Sequence, residues 1–147
     1  MVLLDVRSEA DYNLFHIHGA RNVQPDQVKD LVPELLREPA NNTVYVVMSN
    51  DEISATETWK VLTAESVSNV YILEGGINNW IKTFAAADPN ITPTPAPLGA
   101  DRLAFNFTAA LGGRYDASNP NPLEYELEYT PKIKLERKRS PSGGGCG

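Results

Sequence analysis

Apolar residues fall along this chain in two alternating patterns. Runs of four or five residues, interrupted only by Asp5, have the length of strands buried on both faces, and they lie at residues 2–6, 44–48 and 70–73. Between the runs, apolar residues recur three and four positions apart, as on one face of a helix, in residues 9–15, 25–36, 54–62 and 77–84. Strands that alternate with helices predict a parallel sheet covered by helices, an α/β fold.

Local signals place several helix ends. Ser8, with Asp11 three residues later, predicts the start of the first helix. Ser54 and Glu57 form a capping box that predicts the start of the third helix at Ser54, and Pro33 predicts a break in the second.

Turns are predicted at three residue pairs. Glycines at 75–76 and at 112–113 permit tight backbone turns, and Asn41 with Asn42 marks another.

The sequence changes character at residue 88, where prolines at 89, 93, 95 and 97 predict a semi-rigid linker. We therefore expect a compact domain over 1–87, a Pro-rich linker over 88–100, an extension over 101–139 and a flexible Gly-rich tail over 140–147. Within the extension, residues 103–107 form a short strand or a docking segment. Residues 123–135 carry apolar side chains with a period of two, which predicts a half-buried edge strand.

Charge is divided between the two ends of the chain. Residues 1–130 hold 8 Lys and Arg against 18 Asp and Glu, while residues 131–147 hold 5 against 1. An acidic body argues against nucleic acid as a partner, because neutralising phosphates needs clustered basic residues. The basic tail could touch an anionic surface, although such runs are usually just solvated.

Four motifs, in order, resemble the rhodanese family. They are Leu3-Leu4-Asp5-Val6-Arg7 with Asp11-Tyr12, His16 to Asn22, the strand and loop from Val44 to Ser54, and Leu73-Glu74-Gly75-Gly76-Ile77-Asn78-Asn79-Trp80. The resemblance covers about residues 2–84 and implies a three-layer rhodanese-like fold with a parallel sheet, to which the Pro-rich C-terminal part is an extended appendage. It also implies that a helix and a short strand of the family pattern are missing ahead of Met1.

In that family the strand before this loop ends in a cysteine that carries a persulfide, which the backbone N–H groups of the loop surround. That position here reads Met48, whose thioether cannot form a thiolate. The candidate ligand-binding loop that follows consists of Ser49, Asn50, Asp51, Glu52, Ile53 and Ser54. Its length fits the sulfurtransferase type better than the longer phosphatase loop.

The electrostatics of the loop leave its ligand open. A loop entering a helix N-terminus attracts anions. Asp51 and Glu52 oppose an anion, and no basic residue in the loop offsets them, so a cation or an amine-bearing partner fits as well.

Other polar residues have structural interpretations. The resemblance implies that Asp5 and Arg7 brace the fold around the loop, and Asp5 at a buried strand end needs a partner such as Arg7. His16 and His18 lie two apart and could suggest a metal pair, but no third ligand is apparent and we expect a packing role. Ser49 has no general base nearby in sequence, so serine catalysis is not expected.

The single cysteine, Cys146, excludes an intrachain disulfide and lies in the Gly-rich tail beside basic residues. It could serve as a mobile thiol in sulfur transfer, or have no function, or form intermolecular disulfides.

These observations favour a catalytically inactive rhodanese-like module that acts in protein recognition or regulation. The alternative is a sulfurtransferase or sulfur carrier that uses Cys146 in place of the missing loop cysteine. We expect no cofactor and no metal, and a protein partner or self-association through the extension. No leader or anchor is visible, which slightly favours the cytoplasm but leaves a membrane-anchored parent open.

Overall fold

The computed structural model describes residues 1–37, 43–95 and 99–116. In chain order, its strands are β1 (Val2–Asp5), β2 (Phe15–His18), β3 (Ala20–Asn22), β4 (Tyr45–Met48), β5 (Val70–Ile72), β6 (Ile91–Pro93), β7 (Phe105–Phe107) and β8 (Gly112–Asp116). Its helices are α1 (Glu9–Leu14), α2 (Val28–Leu35), α3 (Ile53–Ala64) and α4 (Gly76–Phe84), with a 3₁₀ turn at Pro25–Gln27 before α2.

The central sheet has the strand order β3-β1-β4-β5, and every pairing in it is parallel. Leu3 lies opposite Ala20 on one side and opposite Val46 on the other, so β1 is paired along both edges. The predicted parallel α/β fold is confirmed.

Helices cover both faces of the sheet, which makes three layers. One face packs the strands against α2 and α3 around a largely aliphatic core that includes Leu4, Val47 and Leu62. The other packs them against α4 around a core that includes Phe15 and Trp80. The alternation along each strand assigns its side chains to the two faces: Leu3 and Leu4 belong to different cores.

Residues beyond the last helix pack on that second face. β6 and β7 form an antiparallel pair, and β8 pairs in parallel with β2. Ile91 is buried in the second core, and five partly buried residues of the same region pack against it: Leu103, Phe105, Phe107, Leu111 and Tyr115. Residues 103–107, expected to be a strand or a docking segment, contain β7 and also dock.

The start of α1 is as predicted, and the start of α3 is not. Ser8 is the N-cap of α1, and its hydroxyl accepts the N–H of Asp11 at 3.2 Å. The capping box predicted at Ser54 is wrong, because α3 begins at Ile53 and Ser54 lies inside its first turn. The N–H of Ser54 donates instead to a carboxylate from a distant part of the chain, Asp101, at 3.0 Å.

Two further local predictions are wrong. α2 continues through Pro33 to Leu35, because burial of Val32 and Leu35 in the first core outweighs the one hydrogen bond that the exposed proline removes. The glycines at 112 and 113 begin β8 rather than form a turn. A Cβ on Gly113 would lie 2.8 Å from His16 Nε2, so glycine allows the strand to approach β2 closely.

Some predictions concern residues outside those described: the turn at Asn41 and Asn42, the strand over 123–135, the basic cluster over 132–139 and the tail with Cys146. The domain boundaries stay predictions. Within the described ranges, no helix combines the length and the apolar character needed to cross a membrane.

Candidate functional site

The candidate loop connects β4 to α3 at the carboxyl end of the central sheet, the edge where open α/β folds bind ligands. Met48 is the last residue of β4 and lies opposite Asp5 of β1. Its side chain is fully buried in the second core, and its carbonyl accepts the N–H of Val6 at 2.9 Å. Met48 is therefore an internal packing residue.

A buried ion pair braces the start of the loop. Arg7 Nη2 lies 2.6 Å from Asp5 Oδ2 and Arg7 Nε lies 2.9 Å from Asp5 Oδ1, so the guanidinium binds the carboxylate through two nitrogens. Arg7 also donates to the carbonyl of Phe15 at 2.6 Å and to Asn50 Oδ1 at 3.4 Å. One arginine thus ties β1, β2 and the loop together.

The first loop residues are fastened to α4. The carbonyls of Ser49 and Asn50 accept the N–H groups of Ile77 and Asn78 at 2.9 and 3.0 Å. Gly76 permits this approach: it has φ 61°, and a Cβ there would lie 2.0 Å from the carbonyl oxygen of Asp51. The Gly-Gly turn of the sequence therefore fits α4 against the loop.

Ser49 is a structural residue in this arrangement. It is fully buried, and its hydroxyl accepts the N–H of Ala55 at 3.2 Å, which serves one of the free donors in the first turn of α3.

The two acids of the loop accept backbone N–H groups from the loop and from the N-cap of α4. Asp51 Oδ1 accepts the N–H of Ile53 at 2.8 Å, and Glu52 Oε1 accepts the N–H of Gly75 at 2.6 Å. Their charge is therefore partly compensated, and they oppose an incoming anion less than the sequence predicts.

An anion does lie at the loop, and it comes from the chain itself. Asp101 Oδ1 accepts the N–H of Asp51 at 2.9 Å, and Asp101 Oδ2 accepts the N–H of Ser54 at 3.0 Å. Burial raises the pKa of the Asp101 carboxyl, but hydrogen bonds from the Ser54 hydroxyl and from these two N–H groups outweigh it and leave the pKa below its usual value. Asp101 is therefore held ionised at the N-terminus of α3.

The residues around Asp101 are bound to the same site. The carbonyl of Asp101 accepts Asn50 Nδ2 at 3.0 Å, and its N–H donates to Asp51 Oδ2 at 3.0 Å. Asn78 donates to the carbonyl of Arg102 at 2.8 Å and accepts the N–H of Ala104 at 2.8 Å. The sequence gives no sign of these contacts, because Asp101 is 47 to 51 residues away from its loop partners.

Of the two histidines, His16 contacts a neighbour in the fold and His18 is exposed. His16 stacks on Tyr12 with ring centroids 3.8 Å apart, and its Nδ1 lies 2.8 Å from the carbonyl oxygen of Tyr12. His18 is exposed at the end of β2. Among the described residues, no group of three or more His, Cys, Asp or Glu is placed to hold a metal ion.

Tyr12 remains a neutral hydrogen-bond donor. Burial raises the pKa of its phenol and the Asp5 carboxylate raises it further, while Arg7 acts in the opposite direction. Its hydroxyl donates to the carbonyl of Ala20 at 2.6 Å, which fixes α1 to β3.

Two depressions on the surface lie outside the loop. A polar one of about 290 Å³ is lined by residues of β3 and α2 that include Arg21 and Glu34. An apolar one of about 220 Å³ is lined by Lys82, Ala86, Ile91, Pro93 and Phe105. Neither includes a residue of 49–54.

Comparison with known proteins identifies the family of this domain. The family model of the rhodanese-like domain matches residues 1–83. No curated protein matches the chain significantly.

Three solved structures are among those similar to this chain. A rhodanese-like domain from Anabaena sp. is 24% identical over 56% of this chain and 92% of that one, with a TM-score of 0.46. A rhodanese-like domain protein from Staphylococcus aureus is 20% identical over 54% and 72%, with a TM-score of 0.46. A yeast protein tyrosine phosphatase of the rhodanese family is 20% identical over 59% and 71%, also with a TM-score of 0.46.

These structural likenesses are too distant to carry an activity over to this chain. The family model covers more than half of the sequence, so the chain belongs to the rhodanese-like domain family.

Proposed function

We propose that this chain is a non-catalytic rhodanese-like module that acts in protein recognition or regulation. The observation that carries the proposal is Met48, which stands at the family's cysteine position and is fully buried. Sulfur transfer of the family type needs a thiolate there to attack the sulfur donor, and a thioether has no proton to lose.

The occupied loop supports the same conclusion. The N–H groups of Asp51 and Ser54 are the donors that would face a bound anion, and both are bound to Asp101. A sulfur donor such as thiosulfate would have to displace that carboxylate and the residues bound beside it. The loop instead binds a segment of its own chain, and binding of a peptide segment is a recognition property.

A cyanolysis assay with thiosulfate and cyanide tests the proposal by measuring thiocyanate. The intact chain is expected to give no turnover above buffer. The Met48→Cys and Met48→Cys/Asp101→Ala variants separate the two causes, because the first restores a thiol while the second also vacates the loop. Turnover by the unsubstituted chain would overturn the proposal.

The second candidate, sulfur transfer through Cys146, is tested in the same assay. Cys146 is the only cysteine of the chain, and it lies outside the described residues. If the intact chain turns over and Cys146→Ser does not, the protein is a sulfurtransferase that uses its tail thiol. If both are inactive, the non-catalytic proposal stands.

A further inference from the structure

Residues 101–104 occupy the candidate loop in the manner of a bound peptide. Besides the bond from the Ser54 hydroxyl, six hydrogen bonds hold them. Three involve the N–H groups of Asp51 and Ser54 and the Asp51 carboxylate, one involves the side chain of Asn50, and two involve the side chain of Asn78 in α4. All six have donor–acceptor distances of 2.8 to 3.0 Å. Residues 49–54 and Asn78, called the receptor below, therefore present hydrogen-bonding groups that match one short segment.

The order of donors and acceptors on the receptor specifies the chemical class of the occupant. Two N–H groups bind the two oxygens of a carboxylate, whereas Asp51 Oδ2, beside them, accepts the N–H of Asp101. A free oxyanion such as sulfate offers only acceptors, so it could not supply the N–H that Asp101 donates to the Asp51 carboxylate. An aspartyl residue within a peptide satisfies both requirements at once.

Only one side chain of the segment is recognised through hydrogen bonds. Arg102 and Ala104 contribute main-chain groups to Asn78, and the Arg102 side chain is exposed. The site therefore recognises the side chain of an aspartate and the main-chain groups of the residues after it. It does not select the side chain of the next residue.

The conformation of Asp101 itself depends on its contacts with the loop. Asp101 has φ 48°, a left-handed conformation that costs an L-residue energy, and Gly99, Ala100 and Arg102 around it are exposed. The hydrogen bonds at the loop compensate that cost, so a change that weakens them favours release of Asp101, while Leu103 packs against the second core.

We propose that residues 49–54 together with Asn78 form a binding site for an aspartyl peptide segment, which residues 101–104 fill in the free chain and which an Asp-containing segment of a partner protein takes in their place. This inference rests on the proposed recognition function and names the class of partner. The chain's own segment competes at an effective concentration on the order of millimolar, as tethered ligands do, so a partner must either bind more tightly or present several contacts.

A fluorescence anisotropy titration tests the site with a labelled peptide of residues 99–107, GADRLAFNF. The receptors are the full chain and three variants. Asp101→Ala and Asp101→Asn remove the carboxylate from the loop and are called the vacated variants. Arg102→Ala is a matched control that alters an exposed neighbour. The vacated variants are expected to bind the peptide at least tenfold more tightly than the unsubstituted chain and the control. A peptide with Asn in place of its Asp is expected to bind at least tenfold more weakly, and Asn78→Ala introduced into a vacated chain is expected to lower its affinity.

Several results would overturn the inference. They are equal affinity for vacated and unsubstituted chains, no binding to vacated chains that melt cooperatively, and displacement of the peptide by sulfate beyond the effect of sodium chloride at matched ionic strength. A dimer of the unsubstituted chain that dissociates on Asp101→Ala would make a second copy the occupant and also contradict a partner protein. Turnover in the cyanolysis assay would overturn only the non-catalytic function, whereas failed peptide binding would overturn only this site.

Discussion

The two faces of the central sheet are completed by different parts of the chain. The face under α2 and α3 is largely aliphatic, and its core residues all lie between residues 2 and 72. The face under α4 is rich in aromatic rings: Phe15 lies 5.7 to 5.8 Å from the rings of Trp80, Phe107 and Tyr115. Two of those three partners lie beyond residue 83, where the match to the family model ends.

The aromatic face connects the residues beyond α4 with the loop. The strands β6 to β8 that complete the aromatic face belong to the same stretch of chain as Asp101, which fills the loop. Tyr115, in β8, contacts both Phe15 and Trp80, and its hydroxyl donates to the Asp88 carboxylate. We infer that packing on the aromatic face and occupation of the loop stabilise each other.

Phe15→Ala is expected to have the largest effect, a loss of about 3 to 5 kcal/mol in the free energy of unfolding, because it leaves a cavity among three rings. Leu62→Ala is the matched change on the aliphatic face and is expected to cost about 2 to 5 kcal/mol. The two differ in where they act: amide exchange at 105–107 and 112–116 should accelerate ahead of global unfolding only in Phe15→Ala. Equal acceleration in both variants would mean that the faces are not separable.

Gly76→Ala is the next largest change, and it affects the contact between α4 and the loop. The new Cβ would overlap the carbonyl oxygens of Asp51 and Ser49, and overpacking of this kind costs about 1 to 3 kcal/mol. Gly19→Ala is the control, because Gly19 also has positive φ but has no atom within 4 Å of the new Cβ. Both variants share a conformational cost of about 1 to 2 kcal/mol, so chemical denaturation should show a larger loss for Gly76→Ala. The same loss in both would remove the clash as a cause.

Asp101→Asn is expected to lower the free energy of unfolding by about 1 kcal/mol, since it weakens charge-assisted hydrogen bonds at a partly exposed site. Glu65→Gln, an exposed carboxylate beside α3, is expected to change it by less than about 0.5 kcal/mol. Urea titration of the three chains measures the difference. No difference between the two variants would show that the Asp101 contact does not stabilise the fold.

The smallest effect is the pH dependence of the Asp101 contribution. Hydrogen bonds hold the pKa of this carboxyl below its value in the unfolded chain, which is about 4. The stabilisation is therefore fully present above the unfolded pKa and is lost as the pH falls through the folded pKa. The difference in unfolding free energy between the unsubstituted chain and Asp101→Asn should be constant from pH 5 to 7 and shrink below pH 4. A difference that grows on acidification would contradict it.

Much of the fold could be predicted because its signals are local. The run over residues 2–6, the cap at Ser8 and the helical spacing up to Phe84 each depend on neighbours within a few residues, and the structure has the strand and both helices there. The salt bridge between Asp5 and Arg7 is similarly local, since the two residues lie two apart. Signals of this kind failed where a distant contact competed, as at Ser54, whose N–H is bound by Asp101.

The sequence by itself determined the parallel α/β fold, the family and the absence of a thiol at position 48, because periodicity and motif order are properties of the chain. The tertiary structure alone decided what lies at the loop. Asp101 reaches the N–H groups of Asp51 and Ser54 only because β6 to β8 pack on the aromatic face, and no local pattern encodes a contact 50 residues away. A carboxylate binds backbone donors from any distance in sequence once packing brings it there, so the loop's occupant is a property of the folded chain.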